Sequence, residues 1–263
     1  MNIIHPTAII EDGAILGDNI TIGAFTIINN KVTIGDGTTI GSHTLIDGKT
    51  TIGINNQIFS HAVLGTIPQD LKFDGEETEL IIGDNNKIRE HTLINTGTSG
   101  GGSKTIIGND NLIMGHVHIG HDCIIGNHVI IANSTPVAGH VEIDDFAVIG
   151  GLSAIHQFCK IGTQAMLGGG SIVVQDIPPF TITEGNRATI RGLNINGLRR
   201  RFKDRKEIDL IKKAYKQLFE SNNPLQESAK KLLDSENKNV QKLAQFVLET
   251  KRGIPFIRKN TNG

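Results

Sequence analysis

The chain has 263 residues and a formal net charge of −1, which divides into −11 over residues 1–190 and +10 over residues 191–263. The composition, 38% hydrophobic and 20% charged, excludes a disordered chain, and 4% aromatic residues without Trp argue against a conventional aromatic-rich core. Two cysteines exclude a disulfide scaffold and no apolar run reaches the length of a membrane helix, so we expect a cytoplasmic protein with no integral membrane segment.

An aliphatic residue recurs every six residues through the first two thirds of the chain. The register covers residues 4–64, 82–94 and 107–173, which together hold 26 hexads. Period six fits no face of an α-helix. Three six-residue sides instead make a triangular coil of 18 residues, whose inward aliphatics stack at the strand spacing of about 4.8 Å. Gly or Asn often follows the aliphatic, as at Gly17 and Gly23, and we interpret these positions as corners that need positive φ.

This pattern is typical of left-handed parallel β-helices built from hexapeptide repeats, and we predict one over residues 1–190. Two stretches leave the register and are predicted to be loops. In residues 65–81 the register would place Asp70 and Glu76 in the interior. Residues 95–106 contain the Gly-rich insert NTGTSGGGSKT, which we interpret as a flexible surface loop, because no helix follows to complete a phosphate cradle.

The tail, residues 191–263, changes to helical spacing and is predicted to be a C-terminal α-helical domain. Apolar residues recur at intervals of three and four over residues 208–219, and Pro224 marks a helix start. Two more short amphipathic patterns follow, in residues 225–233 and 240–248. Helices at this end would shield the open strand edge of the last coil, which is otherwise an aggregation hazard.

Within the unbroken hexads of residues 107–173, the 18-residue coil predicts that several polar residues form one patch. Residues 18 apart lie directly above one another, so the patch collects His118, His121, Asp122, Gly139, His140 and Gln157. A histidine beside a carboxylate is a natural general base near neutral pH. A backbone N–H freed at a glycine stabilises an oxyanion. Together these groups suit acyl transfer to a hydroxyl or an amine.

Three other interpretations of the patch remain open at this point. The histidines are solvated residues on the coil faces, or three of them hold a catalytic zinc as in a hydro-lyase of the carbonic-anhydrase type. Against zinc, His121 and His140 are offset by one residue as well as one coil. The third interpretation is a structural or ice-binding prism, which requires regular Thr arrays. Here the equivalent positions mix His, Asp, Asn and Phe.

An ordered set of motifs resembles one family over essentially the whole chain. The motifs are HIGHDC (118–123), AGHVE (138–142), IHQF (155–158), EGNRA (184–188), GLRRR (197–201) and the loop PQDLKFDGE (68–76). The family is that of the UDP-N-acetylglucosamine O-acyltransferases of lipid A biosynthesis. The resemblance implies transfer of an (R)-3-hydroxyacyl group from acyl carrier protein to the glucosamine 3-position of a UDP-sugar, or to the 3-amino analogue. It also implies a homotrimer with active sites between subunits, and no metal or other cofactor.

The resemblance assigns expected roles residue by residue. His121 matches the general base, Asp122 is expected to orient it, and Gly139 matches the oxyanion N–H. The expected substrate-binding residues are His118, His140 and Gln157 around the sugar and thioester, Gln69 and Asp70 on a loop reaching the sugar, and Asn194, Arg200 and Arg201 near the nucleotide, diphosphate or pantetheine. Gly169 matches the position that sets acyl length, where a glycine leaves a slot open.

Several positions depart from the family pattern, and the tail charge indicates a partner. Asn196 stands where an acidic contact to the uridine is expected, and Arg187 where other members can carry His. Gly115, His116 and Gly120 also differ from the commoner residues beside the expected general base. The net charge of +10 over residues 191–263 lacks interleaved aromatics for base stacking, so no nucleic acid is expected. We interpret it as a docking surface for the acidic carrier protein, with steering that weakens as salt rises.

Overall fold

A computed structural model describes residues 1–256, which form 28 short strands followed by four α-helices. The strands of the first half are β1 (Ile3–Ile4), β2 (Ile9–Ile10), β3 (Ile15–Leu16), β4 (Thr21–Ile22), β5 (Ile27–Ile28), β6 (Thr33–Ile34), β7 (Thr39–Ile40), β8 (Leu45–Ile46), β9 (Lys49–Ile52), β10 (Gln57–Ile58), β11 (Val63–Thr66), β12 (Glu79–Ile82), β13 (Lys87–Ile88) and β14 (Leu93–Asn95). Those of the second half are β15 (Lys104–Ile107), β16 (Leu112–Ile113), β17 (His118–Ile119), β18 (Ile124–Ile125), β19 (Ile130–Ile131), β20 (Pro136–Val137), β21 (Glu142–Ile143), β22 (Val148–Ile149), β23 (Ala154–Ile155), β24 (Lys160–Ile161), β25 (Met166–Leu167), β26 (Ile172–Val173), β27 (Thr181–Glu184) and β28 (Thr189–Leu193).

Every third strand belongs to the same sheet, so the chain coils around a triangular prism. The first face runs from β1 to β25 and ends with β27 and β28, the second runs from β2 to β26, and the third from β3 to β24. The last aliphatic of each hexad points inward: Ile22 pairs with Ile40, and Ile40 with Ile58. All three are at most 3% exposed. The hexad pattern therefore predicted both the faces and the core.

A row of buried asparagines, one in each successive coil, runs beside the stacked aliphatic residues. Asn56 Oδ1 accepts a hydrogen bond from Asn86 N at 2.9 Å, and Asn86 Oδ1 accepts one from Asn111 N at 2.9 Å. Asn111 Oδ1 in turn accepts one from Val129 N at 2.7 Å. These side chains satisfy backbone N–H groups at a prism corner, which would otherwise be buried without partners.

The glycines that follow the inward aliphatics have a different cause from the one predicted. The positive-φ residue of a coil lies three positions after the aliphatic, as at Asn19, Phe25 and His43. Gly23 instead has the backbone of the next coil against it, because an added Cβ would lie 2.6 Å from Ser42 N. Close approach of successive coils, rather than positive φ, therefore requires glycine there.

Both predicted loops are shorter than expected, because strands on the third face extend into them. The first excursion covers residues 67–78 and the second, the Gly-rich insert, covers residues 96–103. Strand β12 pairs with β9 on one side and β15 on the other over four residues. Thr50, Leu80 and Thr105 turn inward in these three strands and are fully buried, which lengthens the ladder by two residues.

The tail forms α1 (Ile195–Arg201), α2 (Arg205–Tyr215), a π-helical turn (Lys216–Glu220), α3 (Leu225–Leu232) and α4 (Lys238–Glu249). Strand β28 crosses the predicted domain boundary at residue 190 and pairs antiparallel with β27. Its apolar residues Ile190 and Leu193 pack on the helical core around Ile211, Leu218 and Leu243. The division between the two parts is therefore not a clean break in the chain. No helix within residues 1–256 is long and apolar enough to cross a membrane.

One buried carboxylate ties the end of the helical part to the prism. Asp176, 1% exposed, accepts hydrogen bonds through Oδ1 from Lys160 N at 2.9 Å and through Oδ2 from Thr250 Oγ1 at 2.6 Å. The same Oδ2 accepts from the N–H groups of Lys251 at 3.1 Å and Arg252 at 3.2 Å. This carboxylate therefore connects strand β24 with the segment that follows α4.

We expect Asp176→Ala to lower the free energy of unfolding by about 3 kcal/mol, because it leaves several buried donors unpaired. Urea unfolding at a fixed protein concentration measures this change. Asp234→Ala, which removes an exposed carboxylate, is the control and is expected to stay within about 0.5 kcal/mol of the parent. Equal unfolding midpoints for the two variants would contradict the role given to Asp176.

Candidate active site

His121 and Asp122 form a buried hydrogen-bonded pair at the corner between the second and third faces. They lie in the turn between β17 and β18, where Asp122 has a φ of +60°, a conformation that Asp tolerates better than most residues. His121 Nδ1 lies 2.8 Å from Asp122 Oδ2, and the two side chains are 9% and 1% exposed. A carboxylate accepts from a ring N–H, so the proton lies on Nδ1 and Nε2 is left with a basic lone pair.

The Asp122 carboxylate is held by a residue that sequence reasoning missed. Thr98 donates its backbone N–H to Asp122 Oδ1 at 2.9 Å and its hydroxyl to Oδ2 at 2.6 Å. The Asp122 N–H in turn donates to Thr105 Oγ1 at 2.9 Å. Thr98 lies in the Gly-rich insert, which is therefore packed on the site and is not the free surface loop that was predicted. No spacing rule signalled this contact, because the insert lies outside the hexad register.

Gly139 lies directly against the free edge of the His121 ring. A Cβ built on Gly139 would lie 2.6 Å from both Nε2 and Cε1 of the imidazole, so only glycine leaves room for the ring. None of the hydrogen bonds within residues 1–256 uses the Gly139 N–H. A base nitrogen and a free N–H donor are thus neighbours at one corner, as the stacking of residues 18 apart predicted.

His140 and His118 flank this corner as neutral side chains. The His140 ring meets His121 edge-on with centroids 4.9 Å apart, and it stacks on Phe158 at 4.4 Å. Burial lowers the pKa of His140 below its ordinary value, against the raising effect of Asp122, whose Oδ2 lies 3.8 Å from His140 Nε2. Burial also lowers the pKa of His118. Its buried Nδ1 has no partner within the described part of the chain, which suits a ligand contact.

The lowered pKa of His118 predicts a pH dependence of stability. The folded state resists protonation of this ring, whereas the unfolded chain takes up the proton at the ordinary value near 6.5. Stability is therefore expected to fall as pH drops below about 6.5, with up to one extra proton bound on unfolding. Urea titrations of the parent and of His118→Gln between pH 7.5 and 5.5 measure this slope. A variant slope as steep as that of the parent would contradict the prediction.

A cleft of about 370 Å³ opens beside the pair and changes character along its length. Its polar end is lined by Gln69, His118, His121, Gly139 and Gln157. The rest of the lining is mainly apolar, with Pro136, Ala138, Ala154, Ile155, Ile172, Val173 and Val174, and it also includes Asn95, Gly120 and His156. A polar reaction centre continuous with an apolar slot suits a substrate with a polar reacting group and an aliphatic chain.

Other predicted site residues lie away from this cleft in the single chain. Asp70 lines a neighbouring pocket of about 320 Å³ beside His140. Asn194 caps α1, where its Oδ1 accepts from Gly197 N at 3.0 Å and its Nδ2 donates to Gln164 O at 3.1 Å. The remaining three do not line the cleft either: Arg200, which is exposed, Arg201, whose guanidinium lies 3.3 Å above the Phe146 ring, and Gly169, where an added Cβ would meet Gly151 O at 3.3 Å.

One group of potential metal ligands exists within the described residues, and it belongs to this corner. Ligand atoms of His121, Asp122 and His140 lie within 4.8 Å of one another. The first two already bond each other, and Thr98 supplies two further hydrogen bonds to the same carboxylate. The set also differs from the three histidines that the zinc interpretation invoked.

Comparisons with known proteins match the chain to one family. The family model described as "Udp N-acetylglucosamine O-acyltransferase; Domain 2" matches residues 176–255, and that of the bacterial transferase hexapeptide matches residues 13–48 and 104–135. An acyl-[acyl-carrier-protein]–UDP-N-acetylglucosamine O-acyltransferase of Aliarcobacter butzleri is 70% identical over 98% of this chain and 100% of its own length. The enzyme of that name from Sulfurimonas denitrificans is 65% identical over 99% of this chain and 100% of its own length.

Solved structures show the same fold. UDP-N-acetylglucosamine acyltransferase from Campylobacter jejuni has a TM-score of 0.93 at 47% identity, covering 97% of this chain and 100% of its own. A homologue from Acinetobacter baumannii has a TM-score of 0.92 at 43% identity, covering 96% and 99%. The predicted fold class, a left-handed parallel β-helix with C-terminal helices, is thereby confirmed. The chain belongs to the UDP-N-acetylglucosamine O-acyltransferase family.

Proposed function

We propose that the chain transfers an (R)-3-hydroxyacyl group from acyl carrier protein to the glucosamine 3-hydroxyl of UDP-N-acetylglucosamine, the first step of lipid A biosynthesis. The observation that carries the proposal is the buried His121–Asp122 pair, which faces Gly139 at the polar end of an apolar cleft. The curated relatives carry the name of this activity. The reaction is placed in the cytoplasm, in keeping with two free cysteines, Cys123 and Cys159, buried in the prism.

In the proposed reaction His121 acts as general base. Its Nε2 takes the proton of the sugar 3-hydroxyl while the oxygen attacks the thioester carbonyl. The Gly139 N–H donates a hydrogen bond to the new oxyanion. When the tetrahedral intermediate collapses, the C–S bond breaks and the leaving thiolate takes the proton from His121, so the base is regenerated. Asp122 keeps the ring oriented and stabilises the imidazolium that forms between the two steps.

The remaining lining residues are proposed to hold the substrates. His118, Gln157 and Gln69 line the polar part of the cleft, where the sugar and thioester are proposed to meet. His140 does not line this cleft; it lines the neighbouring pocket together with Asp70. The apolar slot that ends at Val174 is proposed to take the acyl chain. Gly169 is assigned to acyl-length selection because it matches the family position with that role, where glycine leaves a slot open; an added Cβ there would lie 3.3 Å from Gly151 O.

A homotrimer is proposed because one chain leaves the site incomplete. Asn194, Arg200 and Arg201, which match family positions near the nucleotide and pantetheine, are not brought to the cleft by their own chain. The second face also presents an apolar row toward solvent, including Ile9 at 56% and Ile27 at 37% exposure. Light scattering is expected to give three times the chain mass. An active monomer would contradict the arrangement.

The positive tail is proposed to bind acyl carrier protein. Arg199, Lys203 and Arg205 surround a polar pocket at the start of the helices, with exposed Arg200 nearby. Attraction of an acidic carrier by this surface predicts that the apparent KM for the carrier rises with salt. No metal or other cofactor is invoked. Metal analysis of the active protein discriminates this reaction from the zinc hydro-lyase alternative, since stoichiometric zinc would favour the latter.

The function is tested by an assay of purified protein against (R)-3-hydroxyacyl carrier proteins of graded chain length, each with UDP-N-acetylglucosamine and with its 3-amino analogue. We expect acyl transfer to the 3-hydroxyl substrate. Preference for the amino analogue would replace the O-acyltransferase proposal by an N-acyl transfer. Absence of transfer to either sugar would refute the proposed function.

A further inference from the structure

The Gly-rich insert, residues 96–103, covers the carboxylate of Asp122. Thr98 contributes two of its hydrogen bonds, from the backbone N–H to Oδ1 at 2.9 Å and from the hydroxyl to Oδ2 at 2.6 Å. The carboxylate is 1% exposed as a result of this cover and of the turn below it. The coil supplies His121 and Asp122, whereas the insert supplies the hydrogen bonds that hold the Asp122 carboxylate.

Gly101 is placed where the carboxylate needs space. A Cβ on Gly101 would overlap the Asp122 carboxylate, whereas Gly100, its immediate neighbour, has nothing within 4 Å of its own added Cβ. A Cβ on Gly97 would overlap the backbone of Lys104 before it reached Asp122 Oδ1 at 2.8 Å. Gly101 therefore lets the backbone of the insert lie against Asp122, while position 100 does not have this requirement.

The first excursion anchors the insert from its other side. Glu76 Oε1 accepts a hydrogen bond from Ser99 N at 3.0 Å, and Thr78 Oγ1 is bonded to Thr96 Oγ1 at 2.8 Å. Backbone N–H groups, first that of Ser99, lower the pKa of Glu76 to about 2, so this contact keeps its charge at neutral pH. Thr98 is thus fixed by bonds on both sides along the chain.

We infer that Thr98 is a positioning residue for the reaction, which holds Asp122 so that the His121 proton stays on Nδ1 and Nε2 remains the base. The inference rests on the proposed function of His121. The Thr98 hydroxyl shares Oδ2 with His121 Nδ1, and His140 Nε2 lies only 3.8 Å from the same oxygen. Without the hydroxyl bond, Thr98 holds only Oδ1, through its backbone N–H, and Oδ2 is left between His121 and His140. The His121 tautomer is then no longer fixed.

Thr98→Val tests the inference because it removes the hydroxyl and keeps the size of the side chain. We expect kcat to fall about 10- to 100-fold, the range for losing a hydrogen bond to a charged group, with KM within about twofold. Thr98→Ser restores the hydroxyl and is expected to recover kcat to within about threefold. Thr26→Val is the matched control, because it removes a likewise buried threonine hydroxyl that bonds Gly41 O at 2.7 Å in a coil that does not line the cleft. It is expected to keep the parental kcat, and equal losses in Thr98→Val and Thr26→Val would overturn the inference.

A glycine pair and a spectroscopic readout separate this inference from the proposed function. Gly101→Ala is expected to lower kcat as Thr98→Val does, and Gly100→Ala to leave it unchanged. Proton-detected NMR with ¹⁵N-labelled histidine reads the His121 tautomer without any substrate. We expect the Nδ1–H form in the parent and in Gly100→Ala, and a mixture in Thr98→Val and Gly101→Ala. If Thr98→Val and Gly101→Ala both keep the parental tautomer, the inference is overturned, whether or not the parent transfers an acyl group. If the parent transfers no acyl group, only the proposed function is refuted.

Discussion

Replacing His121 with alanine is expected to lower the rate of acyl transfer at least a hundredfold, because the reaction loses its general base. His121 Nε2 is the basic nitrogen at the polar end of the cleft, since Nδ1 is engaged by Asp122 at 2.8 Å. The sugar hydroxyl is then left to attack without proton removal. Single-turnover measurements with pre-bound acyl carrier protein isolate this step from product release.

His5→Ala is the control for this variant, because His5 is an exposed histidine near the first coil. It is expected to keep the parental rate. The KM of each substrate in His121→Ala is expected to change only a few fold, since the lost interaction acts in the transition state. Near-parental turnover by a correctly folded His121→Ala protein would show that another group removes the proton.

The hexad register predicted which residues meet at the corner that holds His121, because it fixes which residues stack. A regular coil of 18 residues places His118 beside Pro136 in adjacent strands. In the turn that follows, His121 lies against Gly139, which is also 18 residues further along the chain. The inward isoleucines predicted the core for the same reason. Where the coil is unbroken, sequence spacing is therefore equivalent to spatial position, and the core and the main site residues follow from counting.

The register could not predict contacts made by segments that leave it. Thr98 and Asp122 are 24 residues apart, and the insert between them makes the step unlike that of any other coil. The Gly-rich composition suggested flexibility, whereas the small residues serve close packing against a carboxylate. Asn194 illustrates another limit of the register: its match to a family position predicts a ligand contact, which stays a prediction, and in the single chain its side chain caps α1.

The glycine that faces His121 carries the second large prediction. In Gly139→Ala the new Cβ would lie 2.6 Å from His121 Nε2 and Cε1, closer than real Cβ contacts allow, so the ring or the coil must move. A displacement of this kind misaligns the base with the bound hydroxyl, and it also moves the N–H proposed to donate a hydrogen bond to the oxyanion. We expect the rate of acyl transfer to fall about a hundredfold. The same assay measures it.

Gly151→Ala is the matched control, because Gly151 follows its inward isoleucine by two residues just as Gly139 follows its inward valine, but at a different corner of the prism. Its added Cβ would lie 3.2 Å from Asn133 O and no closer than 3.7 Å to any other neighbouring atom, and Asn133 itself shows that the preceding coil carries a side chain at this position. We therefore expect Gly151→Ala to fold and to transfer acyl groups within about threefold of the parent. If both alanines lowered the rate equally, the cause would be coil packing in general, and contact with the imidazole would not explain the effect of Gly139→Ala.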